Sequence, residues 1–463
     1  MSMFGLSDAA KMQLLARVAR KPVAPALRVV PGTQHGTQHG TQHGAQPPAA
    51  PLGHEAVRTE LDLVRRAADA LKLPSPYFKP HNGIAGATTQ IGNAEYDNFS
   101  SYNYVGLNGD ARVGDAAKAA IDRYGTSVSA SRVVSGERPL HRELEAELAE
   151  VYGADDCLTM VSGHATNVTV LGHLVDRDDV IFHDSLSHNS IVQGALLSGA
   201  RRVAFPHNDF DELERLLAAS RNRAKKALIV VEGHYSMDGD VPDLARAVAL
   251  ARQHRASLMV DEAHSLGVLG ARGYGIAEMT GVDPREVDVW MGTLSKTLCA
   301  SGGYVAGSAS LIEYLRQSAP GFVYSVGLSP PVAAAALEAL RLMKAEPWRV
   351  ARVQENGRCF LAAAKAAGLD TGPSIGSAIV PIIVGSSIRA VKLSQVLFEG
   401  GINVQPIIYP AVPEQGARLR FFLSSLHEEP ALRRTAAAVA DGMRQVGTEK
   451  LDLAQLAKSL RAP

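Results

Sequence analysis

The chain has 463 residues and balances 47 Lys plus Arg against 47 Asp plus Glu, so its formal charge at neutral pH is zero. With 46% hydrophobic and 20% charged residues it has a globular composition, and nothing in its charge favours nucleic acid or an anionic membrane as partner. No apolar stretch approaches the roughly 20 residues that span a bilayer, and the N-terminus lacks the apolar core of a secretory signal. Three cysteines, Cys157, Cys299 and Cys359, are an odd and sparse set, which argues against a disulfide framework and for a reducing cytoplasm.

In chain order, residues 6–20 (LSDAAKMQLLARVAR) read as a short basic amphipathic helix, with Met12, Leu14, Leu15 and Val18 near one face and Ser7 as N-cap. Such a terminal helix either frays or docks on a partner protein. The repeat GTQHGTQHGTQHG (32–44), with Pro-rich sequence to Pro51, has no apolar side chain to bury and reads as a disordered linker. His35, His39 and His43 are weak compositional evidence for a metal, and no metal site is expected. The expected organisation is residues 1–53 as helix and linker, 54–105 as an N-terminal arm, 106–335 as a large domain and 336–463 as a smaller C-terminal domain.

From residue 155 short apolar runs alternate with helical stretches. Strands are expected at 156–161, 179–183, 202–205, 227–232, 257–261, 287–292 and 303–307, and helices at 189–198, 210–221 and 243–255. This alternation predicts an α/β fold with a mainly parallel seven-stranded sheet covered on both faces. After a long helix at 330–345, strands at 378–384 and 417–423 and helices at 389–399 and 428–446 predict a small α+β domain. In such sheets ligands bind beyond the carboxyl ends of the strands.

Four strand ends carry suitable chemistry. Ser162-Gly163-His164 opens a helix whose free amides suit a phosphate. Glu232 ends a strand, with Ser236 in the turn after it. Asp261 ends another, and His264 follows three residues later; buried titratable groups clustered at such ends usually form sites. The fourth, GTLSKT (292–297), sets Lys296 after an apolar run. It is no nucleotide P-loop, because Ser295 stands where that motif needs glycine. A desolvated lysine is instead a nucleophile for an aldehyde. Pyridoxal phosphate has that aldehyde, together with a phosphate and a pyridine nitrogen that an aspartate keeps protonated.

The motifs NFSSYNYVGL (98–107), YGTSVSASRVVSGERPLHRELEAELAEVYG (124–153), DSLSHNSIVQGA (184–195), EGHYSMDGD (232–240), VDEAHSLGVLG (260–270), GTLSKTLCASGGYVAG (292–307), YPAVP (409–413) and ARLRFFLS (417–424) occur in this order. On them the chain, from about Pro76 to residue 448, resembles the α-oxoamine synthase family of fold-type I pyridoxal-phosphate transferases. The resemblance implies pyridoxal 5'-phosphate held as a Schiff base on Lys296, with Asp261 at its pyridine nitrogen, His264 at its phenolic oxygen, and His188 stacked on its ring. Ser236 and Thr293 would bond the cofactor with Glu232 in support, and Gly163 and His164 would cradle the phosphate. Arg420 would grip the amino-acid carboxylate, with Tyr102 also at the substrate, while Arg418 would be a surface residue at a sheet edge. The implied reaction condenses a small amino acid (Gly, Ala or Ser) with an acyl thioester, carried by coenzyme A or an acyl-carrier protein, and releases carbon dioxide. The implied assembly is a cytoplasmic homodimer, and residues 1–53 would suit recruiting a carrier protein.

Tyr102 in SYNY, Val326-Gly327 in place of a hydroxyl pair that reaches a partner subunit's phosphate, and Ala411 in YPAVP are departures. They make the chain look more like serine palmitoyltransferases and polyketide-associated synthases than like 8-amino-7-oxononanoate synthases. Alternatives are that last activity, in biotin synthesis, and an aminotransferase of class I/II fold; fold alone does not separate them.

Overall fold

Runs such as ALIVVE and SLMVD have no polar face, and they become strands buried on both sides. The structure, a computed structural model, describes residues 73–448. The predicted helix at 6–20, the GTQH linker and its three histidines lie outside them. Strands β1 (His81–Asn82), β2 (Thr88–Ile91) and β3 (Ala94–Asn98) come first. Then follow β4 (Asp156–Met160), β5 (Val180–Asp184), β6 (Arg201–Phe205), β7 (Ala227–Glu232), β8 (Ser257–Asp261), β9 (Val289–Thr293) and β10 (Gly303–Gly307). These seven form one sheet in the order β4-β10-β9-β8-β7-β5-β6. All are parallel except β10, which is antiparallel to both neighbours. The seven strands and the helices Asn189–Ser198, Phe210–Ser220, Leu244–His254 and Pro330–Ala345 lie within two residues of their expected ends.

The helices bury the faces that their spacing supplies. In Phe210–Ser220, Leu213 and Leu217 are buried, and the Asp209 side chain caps the start by accepting from Glu212 N at 2.9 Å. One core packs Leu144, Leu148, Ala247, Leu250, Leu337 and Leu340 against one face of the sheet. A second packs Val170, Leu171, Ile191, Ile312 and Leu315 against the other. A third holds the C-terminal layer, where β11 (Ile379–Ile383), β13 (Pro406–Ile407) and β14 (Arg418–Phe422) form a sheet in the order β11-β14-β13. Helices Trp348–Ala366, Ser387–Glu399 and Glu429–Thr448 lie in the same part of the chain.

The sequence reading passes over the arm sheet. β2 and β3 are joined through Gly92-Asn93, with Ile91 opposite Ala94 and Gly92 at φ +60°. That dipeptide is a hairpin signal, but TTQI and AEYDN carry too few apolar residues to announce strands. β12 (Ile402–Asn403) then pairs parallel to β3, so residues 94–98 share a sheet with a segment some 300 positions later. Among the described residues no helix is long and apolar enough to cross a membrane.

Gly357, inside the helix Trp348–Ala366, lies against the Gly376 and Ser377 carbonyls, and a methyl group there would collide with that backbone. Alanine alone would favour the helix by up to about 1 kcal/mol. Gly357→Ala is nevertheless expected to lower stability by about 1–3 kcal/mol, the usual cost of overpacking, read as a lower urea midpoint.

Candidate active site

The strand order turns back on itself between β5 and β7, and there the carboxyl ends of the strands leave a crevice. Glu232 ends β7 and Asp261 ends β8, directly opposite each other in the ladder. Both are buried. Asp261 Oδ2 accepts from Asn167 Nδ2 at 2.7 Å, and Oδ1 accepts from Ala263 N at 2.9 Å. The same Asn167 nitrogen donates to Ser190 Oγ at 2.9 Å, while Asn167 Oδ1 is buried without a partner. Glu232 accepts from His188 N at 2.5 Å. Burial, reinforced by the charge on Asp261, pushes the Glu232 carboxyl up to about 8.

Lys296 lies in the turn between β9 and β10. Thr293 and Gly303 face each other across that ladder, and Leu294 N donates to Gly302 O at 3.0 Å, so residues 294–302 form a loop with both ends fixed. Inside it Cys299 N donates to Lys296 O at 3.0 Å, with Cys299 in the left-handed region at φ +55°. Thr297 Oγ1 ties the loop to Leu266 O at 2.7 Å. Burial brings the Lys296 amine down to about 8, although Asp261 and Glu232 pull it the other way.

His188 caps the helix Asn189–Ser198, with Nδ1 2.7 Å from Ser190 Oγ. It is thus a helix cap and a member of the cluster at once; burial, then the nearby Lys296, lower its pKa, while Asp261 opposes them. His264 Nδ1 is 2.7 Å from Tyr104 Oη. Burial, with the charges of Lys296 and Arg420, holds that ring well below the usual histidine range, hence neutral. Tyr102 meets Phe422 edge-on at 4.8 Å and His264 at 5.9 Å, and Lys296 Nζ is 5.8 Å from its ring centre.

On β14, residues 418, 420 and 422 share a face. Arg420 Nη1 donates to Ser236 O at 2.9 Å, its guanidinium sits 4.6 Å from the Phe422 ring centre, and its Nε is buried without a partner. Arg418 corrects an expectation. It is buried in the central strand of its sheet, paired with Asp238 at 2.6 Å and donating to Met237 O at 3.0 Å. A carboxylate across the interface draws it inward.

At the end of β9, Thr293 Oγ1 donates to Gly302 O at 3.0 Å and lies 2.8 Å from Ser295 Oγ. The helix Gly163–Leu174 starts against it: a Cβ on Gly163 would stand 2.7 Å from Thr293 Oγ1, so only glycine lets that helix N-terminus come so close. The first-turn amides there have no partners within the helix, and His164 is exposed beside them. A cavity of about 710 Å³ runs past Lys296, Tyr102, Ser295 and Cys299.

Sequence reasoning therefore names most of this cluster. It misses Asn167, which fixes Asp261, and Tyr104, which fixes His264. Tyr104 lies in a quoted motif, but nothing in a one-dimensional pattern pairs it with a histidine 160 positions away.

The group these residues fit is pyridoxal phosphate. A lysine stripped of water reaches an aldehyde, an anchored carboxylate suits a pyridinium, and a helix N-terminus beside two hydroxyls suits a phosphate. Buried without partners, Asn167 Oδ1 and Arg420 Nε are spare hydrogen-bonding capacity at this place. Fold and site define a fold-type I pyridoxal-phosphate transferase.

Comparison with known proteins narrows this. The model of the aminotransferase class I and II family matches residues 95–439. The 8-amino-7-oxononanoate synthase of Geobacter sulfurreducens is 44% identical over 349 residues, 75% of this chain and 88% of that protein. That of Fervidobacterium nodosum is 40% identical over 353 residues, again 75% and 88%. Among solved structures, Sphingomonas wittichii serine palmitoyltransferase has a TM-score of 0.82 at 30% identity, covering 87% of this chain and all of that one. The chain belongs to the aminotransferase class I and II family and, within it, to the α-oxoamine synthases, pyridoxal-phosphate enzymes. The SYNY motif draws it toward the palmitoyltransferases, and a palmitoyltransferase is indeed similar in backbone, at 30% identity; the Geobacter oxononanoate synthase shares 44% over the residues aligned with it.

An amine brought down to about 8 sets a pH dependence. Capture of pyridoxal phosphate by the apo-protein, trapped with borohydride and located by mass spectrometry, is expected to quicken roughly tenfold per pH unit up to about 8 and then level off. An unshifted lysine would keep accelerating beyond pH 10. Lys296→Ala is expected to yield no adduct.

Proposed function

We propose that the chain joins a small amino acid to an acyl thioester with loss of carbon dioxide, producing an α-amino ketone. The observation that carries this reading is the half-buried Arg420 guanidinium, its Nε buried without a partner, in the same cluster as Lys296 and Asp261. That is a socket for the carboxylate of an amino acid whose α-carbon lies near the lysine.

Pyridoxal phosphate, when bound, supplies an electron sink for charge that develops at the α-carbon. Lys296 would hold its aldehyde carbon and, displaced by the substrate amine, move the proton at that α-carbon. At neutral pH an amine titrating near 8 is roughly one-tenth neutral, against well below one-thousandth at the usual lysine value. Asp261, oriented by the Asn167 amide and the Ala263 N–H, would face the pyridine nitrogen. His188 would cover the ring. His264, kept neutral and oriented by Tyr104, would meet the phenolic oxygen with Ser236 beside it. Gly163, His164 and Thr293 would take the phosphate. Glu232, with its carboxyl protonated at neutral pH, would steady the His188 turn without adding a second negative charge beside Asp261.

The relatives' name encodes a finer reading. In 8-amino-7-oxononanoate the terminal methyl and the amino-bearing carbon are those of alanine, and the other seven carbons are a dicarboxylic acyl group. The cavity wall is compatible with such a donor: Ser100, Ser101 and Ser301 line it together with Ala117, Pro331 and Val332, a mixed surface that suits a chain with an apolar body and a polar end. We therefore assign alanine and a short, polar-ended acyl thioester as substrates. Three cysteines that are all free fit the reducing cytoplasm as its setting. The functional form on this reading is a homodimer.

The test is to give the holoenzyme alanine, glycine or serine with either pimeloyl or palmitoyl thioester, and to measure carbon dioxide and free thiol. Alanine with the pimeloyl donor is expected to release both in equal amounts and faster than any other pair. Release of keto acid without any need for thioester would make this an aminotransferase and overturn the proposal. A preference for serine with palmitoyl donor would overturn the finer assignment alone.

Arg420→Lys keeps the charge but loses the two-pronged donor. It is expected to raise the KM for the amino acid roughly 10–100-fold, the worth of a charge-assisted hydrogen bond, with the thioester KM unchanged in steady-state kinetics.

A further inference from the structure

Outside the cluster already described, three charged side chains are joined where β5, β6 and the turn after β7 meet. His207 Nδ1 is 2.9 Å from Asp184 Oδ1, and its Nε2 is 2.8 Å from Asp240 Oδ2. Asp184 ends β5 and is fully buried. Its carboxylate also accepts from Leu186 N at 2.7 Å and Asn208 N at 2.9 Å. It thereby shapes the turn 185–187 that presents His188.

Asp240 closes the turn that contains Ser236. Tyr235 N donates to Asp240 O at 3.0 Å, and Gly239 N donates to Tyr235 O at 2.9 Å. Asn208 Nδ2 reaches the same Asp240 oxygen at 2.8 Å, from a residue held at φ +55°. The His207 ring meets Tyr235 edge-on at 4.5 Å. One imidazole is thus bonded to two of the segments that bring functional side chains to the crevice.

We propose that His207 is a positioning residue: as an imidazolium it clasps Asp184 and Asp240, so that the turns carrying His188 and Ser236 are set as one unit. Two buried carboxylates facing one ring from opposite sides need a cation between them. The charges around the ring agree with this. Burial alone would lower the His207 pKa, but hydrogen bonds to the two carboxylates outweigh it and lift it to about 10, while Asp184 is held below the usual carboxylate range. The groups facing the ring are Asp184, Asp240 and Tyr235. This inference rests on the reading of His188 and Ser236 as cofactor-holding residues.

The experiment compares the pyridoxal-phosphate holoenzyme, His207→Gln and a surface control on the following helix, Arg215→Gln. It reads hydrogen exchange in residues 184–190 and 233–241, the visible circular dichroism of the bound cofactor, and kcat/KM for the amino acid. His207→Gln is expected to speed exchange in both segments together, to change the visible dichroism, and to lower kcat/KM roughly 10–100-fold, the scale of a misplacement near 1 Å. Arg215→Gln should change none of these. Faster exchange in only one segment, or unchanged exchange and dichroism, overturns the clasp.

Should His207→Gln fail to fold, Asp240→Asn carries the test through pH. With one carboxylate gone, the His207 pKa drops, so loosening of both segments with rising pH should begin within pH 6–9. The parent, whose ring keeps its proton until about pH 10, should show no such onset in that window. Identical pH profiles overturn the proposal. If no amino acid and thioester react with the parent, the proposed reaction fails, and exchange and dichroism still judge the clasp.

Discussion

The structure depends on keeping an ammonium group and two carboxyl groups out of water at the ends of neighbouring strands. Lys296, Glu232 and Asp261 share a crevice where desolvation works against every ionised form. The chain meets this in two ways. Glu232 and Lys296 are both driven toward their neutral forms, and an amide and a backbone N–H are aimed at the oxygens of Asp261. An amine that gives up its proton near pH 8 is what Schiff-base formation needs. The electrostatic difficulty and the catalytic capacity are therefore one fact.

Holding that arrangement takes residues from distant parts of the chain. β14 supplies a face on which Arg418, Arg420 and Phe422 each meet a different part of the crevice: Asp238, Ser236 and the aromatic pair Tyr102–His264. His234 adds a further tie. Its Nδ1 is 3.2 Å from His264 O, and its Nε2 is 2.9 Å from Ser377 Oγ, which leads into β11. The turn after β7 is thus bonded from the C-terminal layer as firmly as from its own sheet. Substrate-binding and cofactor-binding groups are coupled both through backbone carbonyls and through side chains in contact.

How much of this was legible in the sequence follows from where each signal resides. ALIVVE and SLMVD announce buried parallel strands because they are short, apolar throughout and spaced by helical stretches. The carboxyl-end residues Glu232 and Asp261 could then be read off by position. Lys296 was legible through its surroundings, an ammonium group among small residues after an apolar run. The arm strands were not, since their pairing with residues 402–403 is a long-range event. Arg418 misled because alternation along a strand does not say which face meets a carboxylate from another layer. Asn167, Tyr104 and His207 carry no local mark; only the fold brings each to its partner.

β10 is the one strand that runs against the others, and this has a consequence for how the lysine is held. Because β9 and β10 are antiparallel neighbours, residues 294–302 form a hairpin connection, while His188, Ser236 and His264 sit where the chain leaves a strand on a crossover to the next. The position of Lys296 is therefore inherited from a contact between adjacent pieces of chain. A one-residue insertion in that loop would leave the sheet untouched and still move the amine away from Asp261. The nucleophile is the most locally encoded part of the site, and the least forgiving of a change in length.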